Sequence, residues 1–344
     1  MKSRTDTRRV NLALQGGGAH GAFTWGVLDA LLEDGRIEFE GLSGTSAGAM
    51  NAAVLADGLL RGGIDGAREA LDGFWNDIAS KGLLYSPAKP LPGMPQPFAE
   101  ASAALGFAAF EAWTRLLSPY QFNPWDFNPL REVLQRRIDF EALRQPGCLK
   151  LFVCATAVRS GKVKVFNNID MSAQALLASA CLPQLFQAVE IDGEAYWDGG
   201  YMGNPVLFPL FYETDTTDVV VVHVNPIERD ALPRTPMEIA NRVNEISFNA
   251  SLMREMRAVA FAAKLVDEGW LKPEHRHRLK RIHMHAIRDD AGMAGLSLSS
   301  KLSPDRAFLH GLRDAGRGIA KSWLRRNFEA LGVRDSVDVR AEYL

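Results

Sequence analysis

Ser46 stands between two glycines, Gly44 and Gly48, in the pattern G-x-S-x-G. Residues 39–43 before it predict a short strand, and the small and apolar residues 49–56 after it predict a helix. A serine at such a corner is held out on a tight turn near the positive end of the helix. A side chain in place of either glycine would collide with the strand, the helix or a substrate. The pattern predicts that Ser46 is a nucleophile. The alternative is a glycine-rich turn that holds a serine by chance.

A second glycine-rich segment follows a predicted buried strand at residues 10–14. It precedes a predicted helix whose apolar side chains recur at helical spacing over residues 23–32. Consecutive glycines let backbone N–H groups converge on one point, and the helix N-terminus adds partial positive charge. Such a nest holds a phosphate or an oxyanion. The segment consists of Gly16, Gly17, Gly18, Ala19, His20 and Gly21.

The third segment is Asp198-Gly199-Gly200, which follows a strand end at Tyr196 and Trp197. Its glycines allow a loop to bring the Asp198 carboxylate close against another loop. Acyl transfer needs a hydroxyl that attacks an ester carbonyl and a base that takes its proton. It also needs donors for the oxyanion, each worth roughly 10²–10³ in rate. Together the three segments supply these parts.

The elements around these segments alternate between strands and helices. Strand, helix, strand, helix in the first part of the chain indicates a layered α/β fold with parallel strands. Asp192-Gly193 between two short β runs predicts a hairpin. Further strands are predicted at residues 149–158, 163–167, 189–191, 195–197, 219–224 and 279–287, and further helices at residues 172–181, 236–265 and 304–331.

We expect one domain over residues 1–344, because no internal repeat or low-complexity linker divides the chain. Residues 83–129 differ in character, with many prolines followed by alanine-rich and aromatic sequence. This segment predicts a cap or lid beside the site, and the alternative is an inserted helical hairpin packed on the core. The charged helix from about residue 304 is expected to form a C-terminal helical extension.

The composition is that of a globular protein, with 344 residues, 47% hydrophobic and 23% charged. A net charge of -2 favours neither nucleic acid nor an anionic membrane, so no nucleic-acid partner is expected. Cys148, Cys154 and Cys181 lack metal-ligand spacing and are interpreted as reduced thiols. No export signal or membrane-spanning stretch is evident. We therefore expect a cytoplasmic protein.

The order and context of these segments resemble the bacterial patatin-like phospholipases. That family has a glycine-rich oxyanion loop near the N-terminus, a G-x-S-x-G serine and a later aspartate before two small residues. The likeness runs from about residue 9 to at least 226, and it includes residues 178–183 (Ala-Ser-Ala-Cys-Leu-Pro) and Gly203-Asn204-Pro205. Residues 230–344 resemble bacterial members more loosely.

The resemblance implies a three-layer α/β/α sandwich with a mainly parallel central sheet. It implies a dyad in which Ser46 is the nucleophile and Asp198, which must stay ionised, is the general base. The oxyanion hole is then formed by backbone N–H groups of Gly17, Gly18 and Ala19. An acyl-serine intermediate forms and is cleared by water, with no metal or organic cofactor. The expected substrates are lipid acyl esters, phospholipids foremost, with possible peripheral contact at the inner face of the membrane. The exact ester and the oligomeric state stay open.

Histidines provide the main mechanistic alternative, a Ser-Asp-His triad. His223, His283 and His285 follow Asp198 in the chain, and each is more often a structural residue than a base. His20 is a separate case, because many relatives have Arg or Lys at that place. One hypothesis is that a protonated His20 binds an anionic headgroup. The alternative is that only the backbone of this loop matters.

Two other functions compete with hydrolysis. Gly16 to Gly21 also fits the G-x-G-x-x-G pattern of a Rossmann-type dinucleotide-binding oxidoreductase, with Glu38 or Glu40 as the ribose ligand. That interpretation leaves the segments at Ser46 and Asp198 unexplained. A non-catalytic lipid-binding module is the third possibility, and the intact Ser46 and Asp198 argue against it.

Overall fold

The computed structural model describes residues 7–81, 106, 113–114, 116–272, 274 and 279–344. The strands are β1 (Arg8–Leu14), β2 (Ile37–Thr45), β3 (Lys150–Ala157), β4 (Val163–Phe166), β5 (Val189–Ile191), β6 (Glu194–Asp198), β7 (Asp218–Val222) and β8 (His283–Ile287). The helices are α1 (Gly21–Asp34), α2 (Ala47–Lys81), α3 (Pro119–Phe122), α4 (Pro129–Arg137), α5 (Phe140–Leu143), α6 (Ala173–Ser179), α7 (Phe208–Tyr212), α8 (Pro236–Asp267), α9 (Asp290–Ala294), α10 (Arg306–Asn327) and α11 (Val339–Tyr343).

The described strands form one sheet in the order β5-β6-β3-β2-β1-β7-β8, with β4 paired to β3. Strands β3, β2, β1, β7 and β8 run parallel, whereas β4, β5 and β6 add antiparallel pairs at one side. Parallel neighbours need crossover connections, and helices α1 and α2 follow β1 and β2 in that way. The predicted mainly parallel α/β fold is confirmed.

Apolar side chains alternate across the sheet and are buried on both faces. In β1, Leu12 and Leu14 join one core cluster, while Ala13 joins the other. In β7, Val220 belongs to the first cluster and Val221 to the second. The first cluster includes residues of α1, α2 and α10, and the second includes residues of α7, α8 and α11. Helices therefore cover both faces, as the three-layer prediction requires.

Strand β3 brings two distant chain segments together along one of its edges. Thr45, the last residue of β2, pairs with Cys154, and Asp198, the last residue of β6, pairs with Ala155. Strand β4 pairs with these same β3 residues. Because a strand has two edges, β2 and β6 must share the edge opposite β4. The carboxyl ends of β2 and β6 therefore meet head to head.

Most of the predicted cap at residues 83–129 lies outside the described residues, which include 106, 113–114 and 116–129 of it. The cap assignment and the single-domain assignment stay predictions. Over the described ranges, no helix combines the length and the apolar character needed to cross a membrane.

The predicted C-terminal helix, α10, packs closely across α1. A Cβ atom at Gly26 of α1 would overlap the carbonyl oxygen of Arg313, and one at Gly316 of α10 would overlap that of Phe23. Glycine at both positions therefore lets the two helix backbones approach each other. A glycine elsewhere on α10, Gly318, has no such neighbour within 4 Å.

These two classes of glycine should respond oppositely to alanine. Gly316→Ala is expected to destabilise the fold by about 1–3 kcal/mol, because the new methyl group must force the helices apart. Gly318→Ala is the matched control and is expected to stabilise α10 by about 0.5–1 kcal/mol, since it removes backbone freedom from the unfolded chain. Urea unfolding of both variants measures the difference. Equal stabilities would contradict the packing described here.

Candidate active site

Ser46 occupies a strained backbone conformation at the turn between β2 and α2. Its φ is 52°, in the left-handed region that non-glycine residues rarely adopt. The Ser46 amide donates a hydrogen bond of 2.8 Å to the hydroxyl of Ser179, at the end of α6. A Cβ atom at Gly48 would overlap the Leu14 carbonyl, and one at Gly44 would overlap the backbone of Gly48. The predicted corner is therefore present, with the close approaches that its glycines allow.

Asp198 ends β6 and is buried, with 1% of its surface exposed. The Ser46 side chain lies close enough to its carboxylate to lower the pKa of that group. The backbone amide of Gly200 donates to Oδ1 of Asp198 at 2.7 Å. The Thr156 hydroxyl donates to the Asp198 carbonyl at 2.8 Å, and the Asp198 amide donates to the Cys181 carbonyl at 2.8 Å. The carboxylate is thus held in one orientation towards the serine.

The pKa of Asp198 is raised to about 6, chiefly because burial disfavours the charged carboxylate. The hydrogen bond from Gly200, the nearby Ser46 side chain and the positive charge of Lys301 act in the opposite direction. Above pH 6 the carboxylate is therefore mostly ionised, as the expected base must be. A base whose pKa lies near the working pH is suited to both accepting and returning a proton.

Buried amide side chains hold the glycine-rich loop after β1. The Gly16 amide donates to Oδ1 of Asn204 at 2.6 Å, and Nδ2 of Asn225 donates to the Gly16 carbonyl at 2.9 Å. Oε1 of Gln15 accepts from the backbone amides of Val224 and Asn225, at 3.0 and 3.1 Å. Side-chain amides thus fix the first residue of the loop from both sides.

The backbone N–H groups of Gly17, Gly18 and Ala19 have no acceptor among the described residues. Gly18 has φ 57°, which turns the chain at this point. Gly21 starts α1, where a Cβ atom would overlap that of Ala47. The amides that the sequence predicts as oxyanion donors are therefore available for a ligand. Their donor role stays a prediction.

A cavity of about 550 Å³ brings the three segments together. Gly17, Gly18, Ala19, Ser46 and Asp198 all line it. Gly199 lies beside the cavity wall, where a Cβ atom would overlap the Cys154 carbonyl. The rest of the cavity surface is mostly apolar. Its apolar lining includes Met50, Phe74, Trp75, Ile78, Leu130, Leu182, Leu185, Phe186, Phe248, Leu298 and Leu302.

A family model described as patatin-like phospholipase matches residues 12–211. The chain belongs to this family. The matched region contains the glycine-rich loop, Ser46 and Asp198, so the family is recognised through the segments that line the cavity. Membership in the family supports lipid acyl hydrolase activity in general terms.

Among solved structures, VipD from Legionella pneumophila is similar to this chain, with 16% sequence identity and a TM-score of 0.43. The alignment covers 93% of this chain and 67% of the VipD chain. A comparison with curated proteins found no match.

The hypothesis of a protonated His20 is wrong in this structure. His20 is buried, and its Nε2 atom lies 2.7 Å from the Ser300 hydroxyl. Burial, and next the positive charge of Lys301, lower the pKa of His20 to about 3. The imidazole is therefore neutral at physiological pH and cannot attract an anionic headgroup by charge.

The downstream histidines lie outside the cavity that Ser46 lines. His223 contacts the Tyr343 hydroxyl at 2.9 Å, and burial lowers the pKa of His223 to about 3. His285 lies between the Asp218 carboxylate and the Ser336 hydroxyl, each at 2.9 Å. His283 begins β8, two strands beyond β1 in the sheet. None of the three lines the cavity, and this arrangement favours the dyad over the triad.

The acidic residues of the dinucleotide alternative lie at the wrong end of the sheet. Glu38 pairs with Arg9 near the amino end of β1. Glu40 accepts hydrogen bonds from the amides of Asp215 and Thr216, each at 2.8 Å. A ribose ligand is needed at the carboxyl end of the second strand, and that end leads to Ser46 instead.

Two further residues beside the site have different sequence signals. Ser179, which holds the Ser46 amide, lies in the 178–183 segment that already resembles the family. Lys301 lines the cavity from a 3-10 turn over Ser299–Leu302, outside the matched region. A single lysine outside any motif gives no signal in one sequence, so Lys301 could not be predicted.

Reaction of Ser46 with a fluorophosphonate should require the ionised form of Asp198. The second-order labelling rate is expected to be highest near pH 7 and to fall towards tenfold per pH unit below pH 6, as the carboxylate takes up a proton. Labelling followed by mass spectrometry between pH 4.5 and 8.5 measures this. Asp198→Asn should label slowly at every pH. A wild-type rate that does not change between pH 5 and 8 would contradict the assignment of Asp198 as the base.

Proposed function

We propose that this protein is a serine hydrolase that cleaves lipid acyl esters, phospholipids foremost, through a Ser46-Asp198 dyad. The observation that carries the proposal is the placement of Ser46 beside a buried Asp198, in one cavity with loop amides that have no acceptor among the described residues. A serine hydroxyl is a weak nucleophile until a neighbouring base takes its proton. The family match supports the same class of reaction.

The first half of the reaction forms an acyl-enzyme. Asp198 accepts the hydroxyl proton of Ser46 while Oγ attacks the carbonyl carbon of the ester. The carbonyl oxygen gains negative charge and accepts hydrogen bonds from the loop amides of Gly17, Gly18 and Ala19. The tetrahedral intermediate then collapses, and the protonated Asp198 gives its proton to the leaving alcohol. The acyl group is now bonded to Ser46.

The second half uses the same groups in reverse. Asp198, again ionised, takes a proton from a water molecule that attacks the acyl-serine carbonyl. The oxyanion forms at the same amides. When it collapses, the carbon–oxygen bond to Ser46 breaks, the proton returns to Oγ and a carboxylic acid leaves. Each step moves one proton through one carboxyl group, so no histidine, metal or organic cofactor takes part.

The lining of the cavity supports an acyl chain as the bound group. Met50, Phe74, Ile78, Leu185 and Phe186 are among the apolar side chains next to the polar dyad. Burying methylene groups against such a surface is favourable by about 0.8 kcal/mol per group. The apolar wall and the polar centre together fit an ester with a long hydrocarbon arm.

We also propose that the protein acts in the cytoplasm and meets its substrate at a lipid surface. Large apolar side chains stand exposed in the segment that leads into the cavity wall at Asn128 and Leu130. Trp125 is 90% exposed, Phe127 60% and Tyr120 59%. Exposed aromatic residues of this kind are suited to a membrane interface, where their rings insert between headgroups.

Ser46→Ala and Asp198→Asn should each lower kcat for p-nitrophenyl ester hydrolysis by at least 10³, because a nucleophile and its base act as a unit. The matched controls are Ser160→Ala and Asp170→Asn, at exposed positions outside the cavity. Circular dichroism checks that each variant is folded. A folded Ser46→Ala variant with normal activity would overturn the proposal.

The dyad also predicts that histidine is dispensable. His223→Ala and His285→Ala should leave kcat within roughly tenfold of the wild-type value at equal folded fraction. A loss of 10³ or more in either folded variant would replace the dyad by a triad.

Trp125→Asp should weaken sedimentation with phosphatidylglycerol–phosphatidylcholine vesicles by about tenfold, because a charge replaces an inserted ring. The matched control is Val333→Asp. Val333 is 63% exposed. The backbone amide of the preceding residue, Gly332, donates a hydrogen bond to Asp218 at the amino end of β7, which is the end of the sheet opposite the cavity. Equal vesicle binding by both variants, or no binding by the wild type, would contradict the surface contact.

A further inference from the structure

Lys301 has contacts that the proposed reaction does not yet use. Its ammonium group donates to Oδ1 of Asn225 at 2.8 Å and to Oδ1 of Asn244 at 2.7 Å. It also lies 5.2 Å from the centroid of the Phe248 ring. All three partners are neutral. The charge of Lys301 is therefore held in place without being cancelled.

No carboxylate forms an ion pair with Lys301 within the part of the chain that the structure describes. Glu245 is a nearby acid, and its carboxylate is engaged by Arg229 and Arg242. Burial lowers the pKa of Lys301 to about 8, so the amine is still mostly protonated at pH 7. A partly buried charge held by dipoles and an aromatic face acts more strongly on its surroundings than a fully exposed one, because less water screens it.

Lys301 is also tied to the glycine-rich loop. Asn225, which accepts from the ammonium, donates from its Nδ2 atom to the Gly16 carbonyl at 2.9 Å. The backbone carbonyl of Lys301 lies directly against Gly18, where it leaves no space for a Cβ atom. The side chain of Lys301 is therefore linked to the loop through Asn225, and its backbone contacts the loop directly at Gly18.

Several other titratable groups around the dyad are neutral at pH 7, whereas Glu255, whose pKa burial raises to about 7, is partly ionised there. Burial raises the pKa of Cys154, and it raises that of Cys181 to about 12. Burial likewise raises the pKa of Tyr201, and His20 is neutral because its pKa is lowered to about 3. Lys301 is thus the cation that acts on Asp198 from the described residues packed around it.

We propose that Lys301 is a positioning residue of the hydrolytic site, whose fixed ammonium keeps Asp198 ionised and favours negative charge at the loop of Gly17 and Gly18. This inference rests on the proposed function. The cation does not touch the reacting atoms. It acts through the electric field and through Asn225, which links it to the loop. The C-terminal part of the chain thereby contributes to a site whose glycine-rich loop, Ser46 and Asp198 lie within residues 12–211.

The test compares Lys301→Met, which keeps the length and loses the charge, with Lys301→Arg, which keeps the charge. The pH dependence of kcat/KM for a p-nitrophenyl ester is measured from pH 5 to 8.5. Lys301→Met should lower kcat about 10- to 100-fold at pH 7 with little change in KM. This loss is smaller than the roughly 10²–10³-fold loss of rate that follows removal of a donor bonded directly to the oxyanion. The acid limb, which is the fall of kcat/KM at low pH, should move to a pH about 0.5–1 unit higher than in the wild type. Lys301→Arg should restore the limb.

Lys321→Met is the control for loss of a lysine. Lys321 pairs with Glu33 at 2.6 Å on the surface of α10, and this variant should show the wild-type limb. Should Lys301→Met fail to fold, Lys301→Gln and Lys301→Arg provide the same comparison, read with fluorophosphonate labelling of Ser46.

An acid limb that stays at the wild-type pH in a folded Lys301→Met or Lys301→Gln variant would overturn the inference. So would a loss in Lys301→Arg as large as that in Lys301→Met. Failure of the proposed function looks different, because the wild type would then lack turnover that depends on Ser46. With that turnover present, an unmoved limb contradicts the role of Lys301 alone.

Discussion

The site depends on one edge of β3, along which two strands from distant parts of the chain end against each other. Cys154 and Ala155 are neighbours in β3, and they pair with the last residues of β2 and β6. Because neighbouring residues in a strand are about 3.3 Å apart, the two strand ends have no freedom to separate. Ser46 follows one end and Asp198 is the other. In the proposed dyad, the sheet register therefore does what a third catalytic side chain does elsewhere, since it fixes the proposed base beside the proposed nucleophile.

The glycine-rich loop that lines the cavity with Ser46 and Asp198 is also held in one backbone conformation. Gln15, Asn204 and Asn225 are buried amides, and each bonds to the loop or to its neighbours. In a low-dielectric interior such a network stabilises one arrangement strongly, because any broken bond leaves a polar group without a partner. Loop amides held in this way need no reorganisation when charge develops in front of them.

Much of this architecture could be predicted from local sequence patterns. The strand before Ser46, the helix after it and the hairpin at Asp192-Gly193 each follow from neighbouring residues, and both hairpin residues do have positive φ. The meeting of β2 and β6 could not be derived in that way, because register along β3 is set by packing between distant segments. His20 and Lys301 show the same limit. The charge of a side chain depends on burial that no local pattern reveals, so the histidine in the loop is neutral and the cation comes from residue 301.

Burial has two opposing effects on such a dyad. It removes water that would compete with the substrate, and it also raises the pKa of Asp198 towards the point where the base is lost. In the proposed role of Lys301, a nearby cation offsets the effect of burial, whereas a direct ion pair would compete with the serine for the carboxylate oxygens. A lysine held by two neutral amides and an aromatic ring supplies the charge and leaves the carboxylate free to take a proton.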